Sequence, residues 1–261
     1  MSVTKLPDIM IEPAVRAALL EDLGRAGDVT SEGVIPPDAQ ASLVLNAREE
    51  GVLAGLDFAR IAFHLIDPEI SFQPVLQDGA ALAPGAEIAR IAGNARALLS
   101  GERVALNFLG HLSGIASATN GIARAIAHTR ARISCTRKTT PGLRFAEKYA
   151  VRAGGGANHR FGLDDAILIK DNHIAIAGGV EAAMQAAKAY AGHLVKIEIE
   201  VDNLAQLEEA LGFGPDAILL DNMGPQMLRE AVAMIGGRAV AEASGRINAQ
   251  SAPATVSYTH L

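Results

Sequence analysis

The sequence predicts an α/β protein built in two parts, and two patterns along the chain support this fold class. Up to about residue 130, short strand-like runs are separated by turn signals. From Ala131 onward, apolar strand candidates alternate regularly with helix-like segments. Such repeats predict a parallel sheet with right-handed crossovers, closed or nearly closed into a barrel. With 49% hydrophobic residues, the 261-residue chain can bury a full core.

The N-terminal part is predicted to be an α+β layer. A helix is expected over "EPAVRAALLEDLG" (12–24), with Pro13 near its start and Gly24 after its end. Strands are expected in "ASLVLNA", "GVLAG", "ISFQPVL" and "AEIARIAG", with a helix near residues 56–65 between them. The stretch 95–129 is too long for one ordinary helix, so Ser113-Gly114 predicts a break into a helical hairpin. We therefore divide the chain into domains at residues 1–112 and 113–261.

The C-terminal part is predicted to contain five strands. They are "ARISC", "DAILIKDN", "LVKIEIEVD", "DAILLDN" and "RAVAEASG". Four helical segments follow the first four strands, namely "RFAEKYAVRAG", "GVEAAMQAAKAYAG", "NLAQLEEALGFG" and "PQMLREAVAMIGG". The alternation is typical of a parallel α/β sheet.

Composition argues against several function classes. A net charge of -6 disfavours binding to nucleic acid or to an anionic membrane. The apolar runs are shorter than the roughly 18 residues of a membrane span, and the first residues lack a signal peptide's apolar core. The single cysteine, Cys135, excludes an internal disulfide and a cysteine-built zinc site, and its apolar surroundings predict an inert core residue. We expect a cytoplasmic globular enzyme.

Polar residues end all five predicted strands. Lys138 follows the first strand, and the others end with Lys170, Glu200, Asp221 and Glu242, the last followed by Ser244-Gly245. In parallel α/β barrels the carboxyl ends of the strands carry the active site. Strands also end in charged residues simply because the following loops are exposed to solvent. A succession of lysines and carboxylates nevertheless favours an active site.

These residue types predict a sugar phosphate and a metal ion. Lys138 and Lys170 supply positive charge for phosphate oxygens. Glu200 and Asp221 are oxygen ligands suited to Mg²⁺, and Glu198 lies on the same strand face as Glu200. Ser244-Gly245 offers a hydroxyl and accessible backbone N–H groups to a terminal phosphate.

Basic residues also predict a carboxylic acid ligand. Residues 133–173 are rich in lysine and arginine, although the whole chain has 29 Asp+Glu against 23 Lys+Arg. Arg137, and Arg160 beside His159, suit a dicarboxylate because a guanidinium binds both carboxylate oxygens. Three further cations recur at helical spacing and form either a solvated stripe or an anion-steering rim, which we favour: Arg144, Lys148 and Arg152.

Several motifs resemble the quinolinate phosphoribosyltransferase family. They are "EDLGRAGDVTS", "GERVALNFLGHLSGIASAT", "TRKTTPGLR", "EKYAVRAGGGANHRFGL", "ILIKDNH", "IEIEVDN", "ILLDN" and "EASG". The resemblance runs from about residue 12 to residue 245. It implies an N-terminal α/β sandwich domain, an incomplete α/β barrel, and a homodimer or larger assembly. It also implies a pentosyltransferase that joins quinolinate to phosphoribosyl pyrophosphate, giving nicotinate mononucleotide, pyrophosphate and CO₂ for NAD synthesis.

The resemblance also implies a role for each site residue. Arg137, His159 and Arg160 would bind the quinolinate carboxylates, with Lys138 close to both substrates. Phosphoribosyl pyrophosphate and its Mg²⁺ would be held by Lys170, Glu200 and Asp221. The 5′-phosphate would lie on Ser244 and Gly245, and Arg103 would enter from the partner subunit.

The residues around Arg103 favour the same interpretation. Arg103, Asn107 and His111 form a polar stripe on a helix whose other residues are nearly all apolar. This pattern predicts a buried helix, and a buried arginine requires an anion. A solvated stripe is the alternative.

Two other functions stay open at this point. One is a Schiff-base aldolase that uses Lys170 as its nucleophile. The other is a non-catalytic or divergent paralogue that binds an anionic ligand, like the related proteins associated with molybdate uptake. The presence of Arg137, His159 and Arg160 together favours the family's enzyme over the paralogue, because a paralogue that binds no quinolinate would have no need for all three.

The end of the chain departs from the family pattern. After "EASG" the family continues through another helix and strand, whereas here the sequence reads "RINAQSAPATVSYTHL". We expect either truncation or foreign residues at this end, which would leave a barrel edge unpaired.

Overall fold

The protein is described by a computed structural model that covers residues 3–256. It divides into two compact units. Unit 1 consists of the chain up to Asn120 together with Ser134–Asn158, and unit 2 consists of Gly121–Ile133 together with the chain from His159 onward. The predicted boundary between residues 112 and 113 stays a prediction, and the last five residues of the predicted foreign tail lie outside the described residues.

Unit 1 contains five helices and five strands among the described residues. In chain order they are α1 (Asp8–Leu23), α2 (Val29–Val34), β1 (Gln40–Asn46), β2 (Gly51–Val52), α3 (Leu56–Ile66), β3 (Ser71–Pro74), β4 (Ala81–Leu82), β5 (Glu87–Asn94), α4 (Ala95–Ala125), which ends in unit 2, and α5 (Arg144–Ala153). Strand β5 lies between β1 and β3 in an antiparallel sheet, and β2 pairs with β4. The predicted α+β layer is confirmed.

Two details of this layer differ from the prediction. Helix α1 begins at Asp8, so that Pro13 lies inside it, because Ile11, Val15 and Leu19 bury one face along its whole length. Helix α4 continues through Ser113-Gly114 without a break. The Ser113 hydroxyl accepts a hydrogen bond from the Ala54 N–H at 3.0 Å, and such tertiary contacts hold the helix where propensity alone predicts a break.

The glycine run after α5 serves close packing. A Cβ on Gly154 would come within 2.2 Å of the Ala116 carbonyl oxygen, and one on Gly156 within 2.8 Å of the Thr119 methyl group. Larger residues at these positions would push α5 away from α4. Gly154 and Gly156 of the run "RAGGGANHR" therefore have a structural explanation in unit 1.

Unit 2 is built on a parallel sheet. After the end of α4 its elements are β6 (Ile167–Ile169), α6 (Asp171–Ala177), α7 (Val180–Tyr190), β7 (Ile197–Val201), α8 (Leu204–Gly212), β8 (Ala217–Asp221), α9 (Pro225–Ile235), β9 (Val240–Ser244) and α10 (Ala252–Val256). The strand order is β6-β7-β8-β9, and all three pairs are parallel. This sheet confirms the predicted α/β class and is compatible with an incomplete barrel.

The prediction of a strand at "ARISC" is wrong. This segment forms only an isolated bridge between Ser134 and Ala157, and both residues belong to unit 1. The neighbours available to this segment are the residues that follow the glycine run, which make one bridge and no ladder.

One face of the parallel sheet packs on the helices of unit 2. Ile199, Ile218 and Leu220 are completely buried there, in a cluster that includes Met184 of α7 and Leu207 of α8. Side chains alternate between the faces of a strand, so this face accounts for every second residue of β7 and β8. Within residues 3–256, no helix has the length and apolar character needed to cross a bilayer.

Candidate active site

The opposite face of the parallel sheet carries the predicted site residues that lie on its strands. The register places Glu200 beside Leu219 and Leu219 beside Glu242, while Asp221 lies beside Ser244. Glu198 lies two residues before Glu200 on β7, and its register partners are Leu168 on β6 and Ala217 on β8. Because the side chains alternate, the polar residues of these strands share the face opposite the isoleucines. They are Glu198, Glu200, Asp221, Glu242 and Ser244.

Lys170 and Glu200 form an ion pair at one end of this face. The Lys170 Nζ lies 2.5 Å from Glu200 Oε2. Lys170 is also the N-cap of α6, where its N–H donates to His173 Nδ1 at 2.9 Å. The lysine side chain is about half exposed. Its charge is therefore accessible to a ligand, and a phosphate oxygen would compete with Glu200 for it.

Asp221, Ser244 and Gly245 are held together by Asn222. The Asn222 side chain donates to Asp221 Oδ2 at 2.5 Å, and its N–H donates to the Ser244 carbonyl at 3.0 Å. Gly245 has φ 110°, and a Cβ there would lie 2.4 Å from Asn222 Oδ1. Only glycine fits this turn without strain. Sequence reasoning missed Asn222, although the repeated "DN" after two strands, in "ILIKDN" and "ILLDN", was a usable signal.

His159 lies between two carboxylates. Its Nε2 is 2.7 Å from Glu198 Oε2 and 3.8 Å from Glu242 Oε2. The hydrogen bond to Glu198 raises the pKa of His159, against the opposing effect of burial. Burial, followed by repulsion from Glu198, raises the pKa of Glu242. Sequence reasoning identified these residues singly but missed the cluster, since 39 positions separate His159 from Glu198.

Arg160 follows His159 and is partly buried. Its Nη1 donates to the Ala166 carbonyl at 3.3 Å. This bond ties the arginine to the segment that leads into β6.

Arg137 and Lys138 belong to unit 1, whereas the site residues predicted from His159 onward belong to unit 2. Lys138 is exposed. The Arg137 Nε is buried and has no hydrogen-bond partner among the described residues. An unpaired buried guanidinium nitrogen is costly, so an acceptor supplied by a ligand would stabilise it.

The loop that carries these two residues is fastened by Glu147 of α5. Glu147 Oε2 accepts from the Thr140 N–H at 3.2 Å, and Oε1 lies 2.9 Å from His111 Nε2. Burial alone would raise the pKa of Glu147, but the hydrogen bonds from Thr140 and His111 outweigh it and lower the pKa. This carboxylate is fully used by the protein.

Both predictions for Lys148 are wrong. Lys148 is completely buried, so it belongs neither to a solvated stripe nor to an anion-steering rim. Its Nζ donates to Cys135 Sγ at 3.0 Å, and that thiol lies 3.4 Å from Asn158 Oδ1. Cys135 is half-buried rather than part of a buried strand. Its predicted inertness stays a prediction.

The predicted burial of Arg103 is also wrong for a single chain. Arg103, Asn107 and His111 are all exposed along α4. The apolar residues of the helix, such as Val104, Phe108 and Leu112, bury the other side. The pattern is that of an amphipathic helix, so burial cannot be used to argue that Arg103 meets an anion. Its donation to a partner subunit stays a prediction.

Glu200 and Asp221 fit a metal site that a ligand completes. They lie on neighbouring strands and on the same face, which suits one or two carboxylates plus phosphate oxygens around Mg²⁺. Neither belongs to a group of three or more potential ligands within residues 3–256. The group of this size that is present consists of His159, Glu198 and Glu242.

Comparison with known proteins assigns a family. The model of the quinolinate phosphoribosyl transferase N-terminal domain matches residues 28–113, and that of its C-terminal domain matches residues 115–259. The chain is 45% identical over 236 residues to the probable nicotinate-nucleotide pyrophosphorylase (carboxylating) of Bacillus subtilis, covering 90% of this chain and 81% of that protein.

Solved structures agree with the sequence comparison. The crystal structure of NadC from Streptococcus pyogenes is 45% identical, has a TM-score of 0.92, and is matched over 95% of this chain and 88% of that one. The nicotinate-nucleotide pyrophosphorylase of Francisella tularensis is 37% identical with a TM-score of 0.94, over 99% of this chain and 91% of that one. The chain belongs to the quinolinate phosphoribosyl transferase family.

Proposed function

We propose that this chain transfers the phosphoribosyl group of phosphoribosyl pyrophosphate to quinolinate and releases pyrophosphate and CO₂, with nicotinate mononucleotide as the product. The observation that carries this proposal is the polar face of the parallel sheet. It presents Lys170, Glu200, Asp221 and Ser244 at the strand ends of a chain whose relatives are named for this reaction.

We assign Arg137, His159 and Arg160 to the small acid and call these three residues the small-acid half of the site. Quinolinate has two carboxylates, and these three side chains offer guanidinium and imidazole donors to them. The buried Arg137 Nε supports this assignment, because it has no acceptor among the described residues.

We assign Lys138, Lys170, Glu200 and Asp221 to the sugar phosphate, with Ser244 and Gly245 for the 5′-phosphate. The close approach of Gly245 to Asn222 supports the phosphate assignment, because it leaves the backbone N–H groups of this turn unobstructed by a side chain. Mg²⁺ held by Glu200 and Asp221 would supply charge stabilisation for the pyrophosphate oxygens.

The side chains of this chain act mainly by positioning and by charge. The bond between the anomeric carbon and pyrophosphate breaks, and the pyridine nitrogen of quinolinate forms the new bond to that carbon. Lys138 and Lys170 stabilise the negative charge that collects on pyrophosphate. When CO₂ departs, the electron pair of the broken C–C bond stays on the ring carbon next to the nitrogen, and the positive pyridinium nitrogen stabilises it. That carbon then uses the pair to bond a proton.

The proposal extends to the setting of the enzyme. We propose that the enzyme acts in the cytoplasm and that it is a homodimer or larger homo-oligomer. In this assembly Arg103 of each subunit reaches the quinolinate site of the other. The exposure of Arg103 in one chain supports this arrangement, because an exposed cation is available to a second subunit.

The direct test uses quinolinate labelled in the carboxylate next to the ring nitrogen. We expect labelled CO₂ only when quinolinate, phosphoribosyl pyrophosphate and Mg²⁺ are all present. Release from quinolinate alone would show a simple decarboxylase. No release, combined with tight quinolinate binding, would favour the anion-binding paralogue, and borohydride trapping of a carbonyl compound on Lys170 would favour an aldolase.

A further inference from the structure

Glu198 differs from the other carboxylates of the polar face in its surroundings. It is 8% exposed, and one oxygen is committed to His159 at 2.7 Å. The other oxygen, Oε1, is buried and has no hydrogen-bond partner among the described residues. A buried carboxylate with one open oxygen costs folding free energy, so its presence requires an explanation other than stability.

A divalent cation is a poor explanation for this cluster. The His159 nitrogen that would bind the ion, Nε2, is the atom that makes the short hydrogen bond to Glu198. Metal binding requires the unprotonated nitrogen, so an ion at Nε2 would have to displace this hydrogen bond to Glu198. The arrangement is that of a carboxylate orienting a histidine.

We propose that Glu198 is a positioning residue for the small-acid half of the site, holding His159 in one ring orientation and as a cation that receives a carboxylate. The inference rests on the proposed function, because the carboxylate is that of quinolinate. Glu198 acts through His159 and touches no substrate atom.

The other charged groups around His159 are consistent with this role. Glu242, on β9, lies 3.8 Å from Nε2, too far for a hydrogen bond but close enough to favour a positive ring. The positive charge of Arg160 acts in the opposite direction and disfavours a positive His159 ring. Glu198, as the hydrogen-bonded partner, therefore dominates, and Glu242 contributes less.

The same strand provides a matched contrast. Glu200 lies two residues after Glu198 on the same face, but its partner is Lys170. Glu198→Gln and Glu200→Gln remove one charge each from neighbouring positions of β7. Their effects should fall on different substrates.

The experiment measures steady-state kinetics with each substrate varied separately, and quinolinate binding by calorimetry. For E198Q we expect the KM and Kd for quinolinate to rise on the order of 10- to 100-fold, the scale of a hydrogen bond to a charged group. The KM for phosphoribosyl pyrophosphate should stay within about twofold. E242Q should change quinolinate binding less than about threefold, since it breaks no hydrogen bond. E200Q should instead raise the KM for the sugar phosphate.

A second variant protects the test against misfolding. E198D keeps the charge near His159 but shortens the side chain, so it should recover part of the lost quinolinate affinity if Glu198 acts through that charge. Equal losses for both substrates, or a fall in kcat alone, would overturn the inference. So would a divalent cation that binds the wild type without sugar phosphate and is lost in E198Q.

Calorimetry separates the two proposals. If the wild type binds quinolinate and E198Q binds it equally well, the positioning role fails while the proposed function stands. If the wild type binds no quinolinate, the proposed function fails and Glu198 loses its role with it.

Discussion

Two buried glutamates, Glu147 in unit 1 and Glu198 in unit 2, each hold a histidine, and they do so under opposite conditions. Glu147 uses both oxygens, one for His111 and one for the Thr140 N–H. Glu198 uses one oxygen for His159, leaves the other open, and has Glu242 near its partner. The first carboxylate is satisfied by the protein, whereas the second is left incomplete. A complete network points to a structural fastening, and an incomplete one points to a ligand site.

Two lysines of unit 2, Lys170 and Lys196, allow a similar comparison, and replacing Lys170 should have the largest effect on turnover. Lys170 pairs with Glu200 at one end of β7, and Lys196 pairs with Asp216 near the other end. We expect Lys170→Ala to reduce turnover on the order of 10²- to 10³-fold, the scale of losing one preorganised charge.

Lys196→Ala is the matched control. Its side chain is 76% exposed and its ion pair lies away from the carboxyl ends of the strands, so turnover should be unchanged. Steady-state rates at saturating substrates measure both variants. Equal activity of Lys170→Ala and the wild type would remove Lys170 from the site.

An intermediate effect, on the free energy of unfolding, is expected when Glu147 or Glu198 is replaced by glutamine. Glu147→Gln weakens two hydrogen bonds of a satisfied carboxylate, so the free energy of unfolding should fall by about 1–3 kcal/mol. Glu198→Gln removes a charge that the fold leaves incompletely paired, so its stability should lie within about 0.5 kcal/mol of the wild type or above it. Denaturant unfolding of both variants measures the difference. A larger loss for Glu198→Gln would reverse the comparison.

The smallest expected effect is on the free energy of unfolding at acidic pH. The lowered pKa of Glu147 means that its stabilising contribution is present above the ordinary range of a glutamate, near pH 4.3, and is lost as pH falls through its lower folded value. Unfolding of the wild type should therefore become easier in this range, and Glu147→Gln should show less of this dependence. Parallel pH profiles for both variants would contradict the assignment.

Much of unit 2 could be predicted from local pattern. The sequence "IEIEV" alternates apolar and acidic residues, and β7 places Ile199 in the core and Glu200 on the polar face, as period two requires. The alternation of apolar strand candidates with helix-like segments likewise predicted the order of β6 to β9 and of the helices between them. Such features depend on a few neighbouring residues.

The errors arose where distant residues decide the outcome. The helical spacing of Lys148 suggested an exposed position on an anion-steering rim, yet its amine is buried against Cys135, which precedes it by 13 positions. The apolar composition around Arg103 suggested burial, yet one side of α4 is exposed. Neither the His159 cluster nor the fastening of Thr140 by Glu147 has a local signature. These contacts, which join residues 7 to 39 positions apart, are set by the fold, and a single sequence does not encode them as a pattern.

The discontinuity of unit 1 has a consequence for how the chain folds during synthesis. Asp78 accepts hydrogen bonds from the Gly55 and Leu56 N–H groups at the start of α3, and from the Tyr149 hydroxyl at 2.6 Å. Phe145 also stacks on Phe58, with ring centroids 6.0 Å apart. A nascent chain that has emerged only to Asn120 therefore has its layer but lacks the helix that completes the core. Its folding has to wait for some forty further residues, and the apolar surface that α5 later covers stays open to chaperones, or to aggregation, until then.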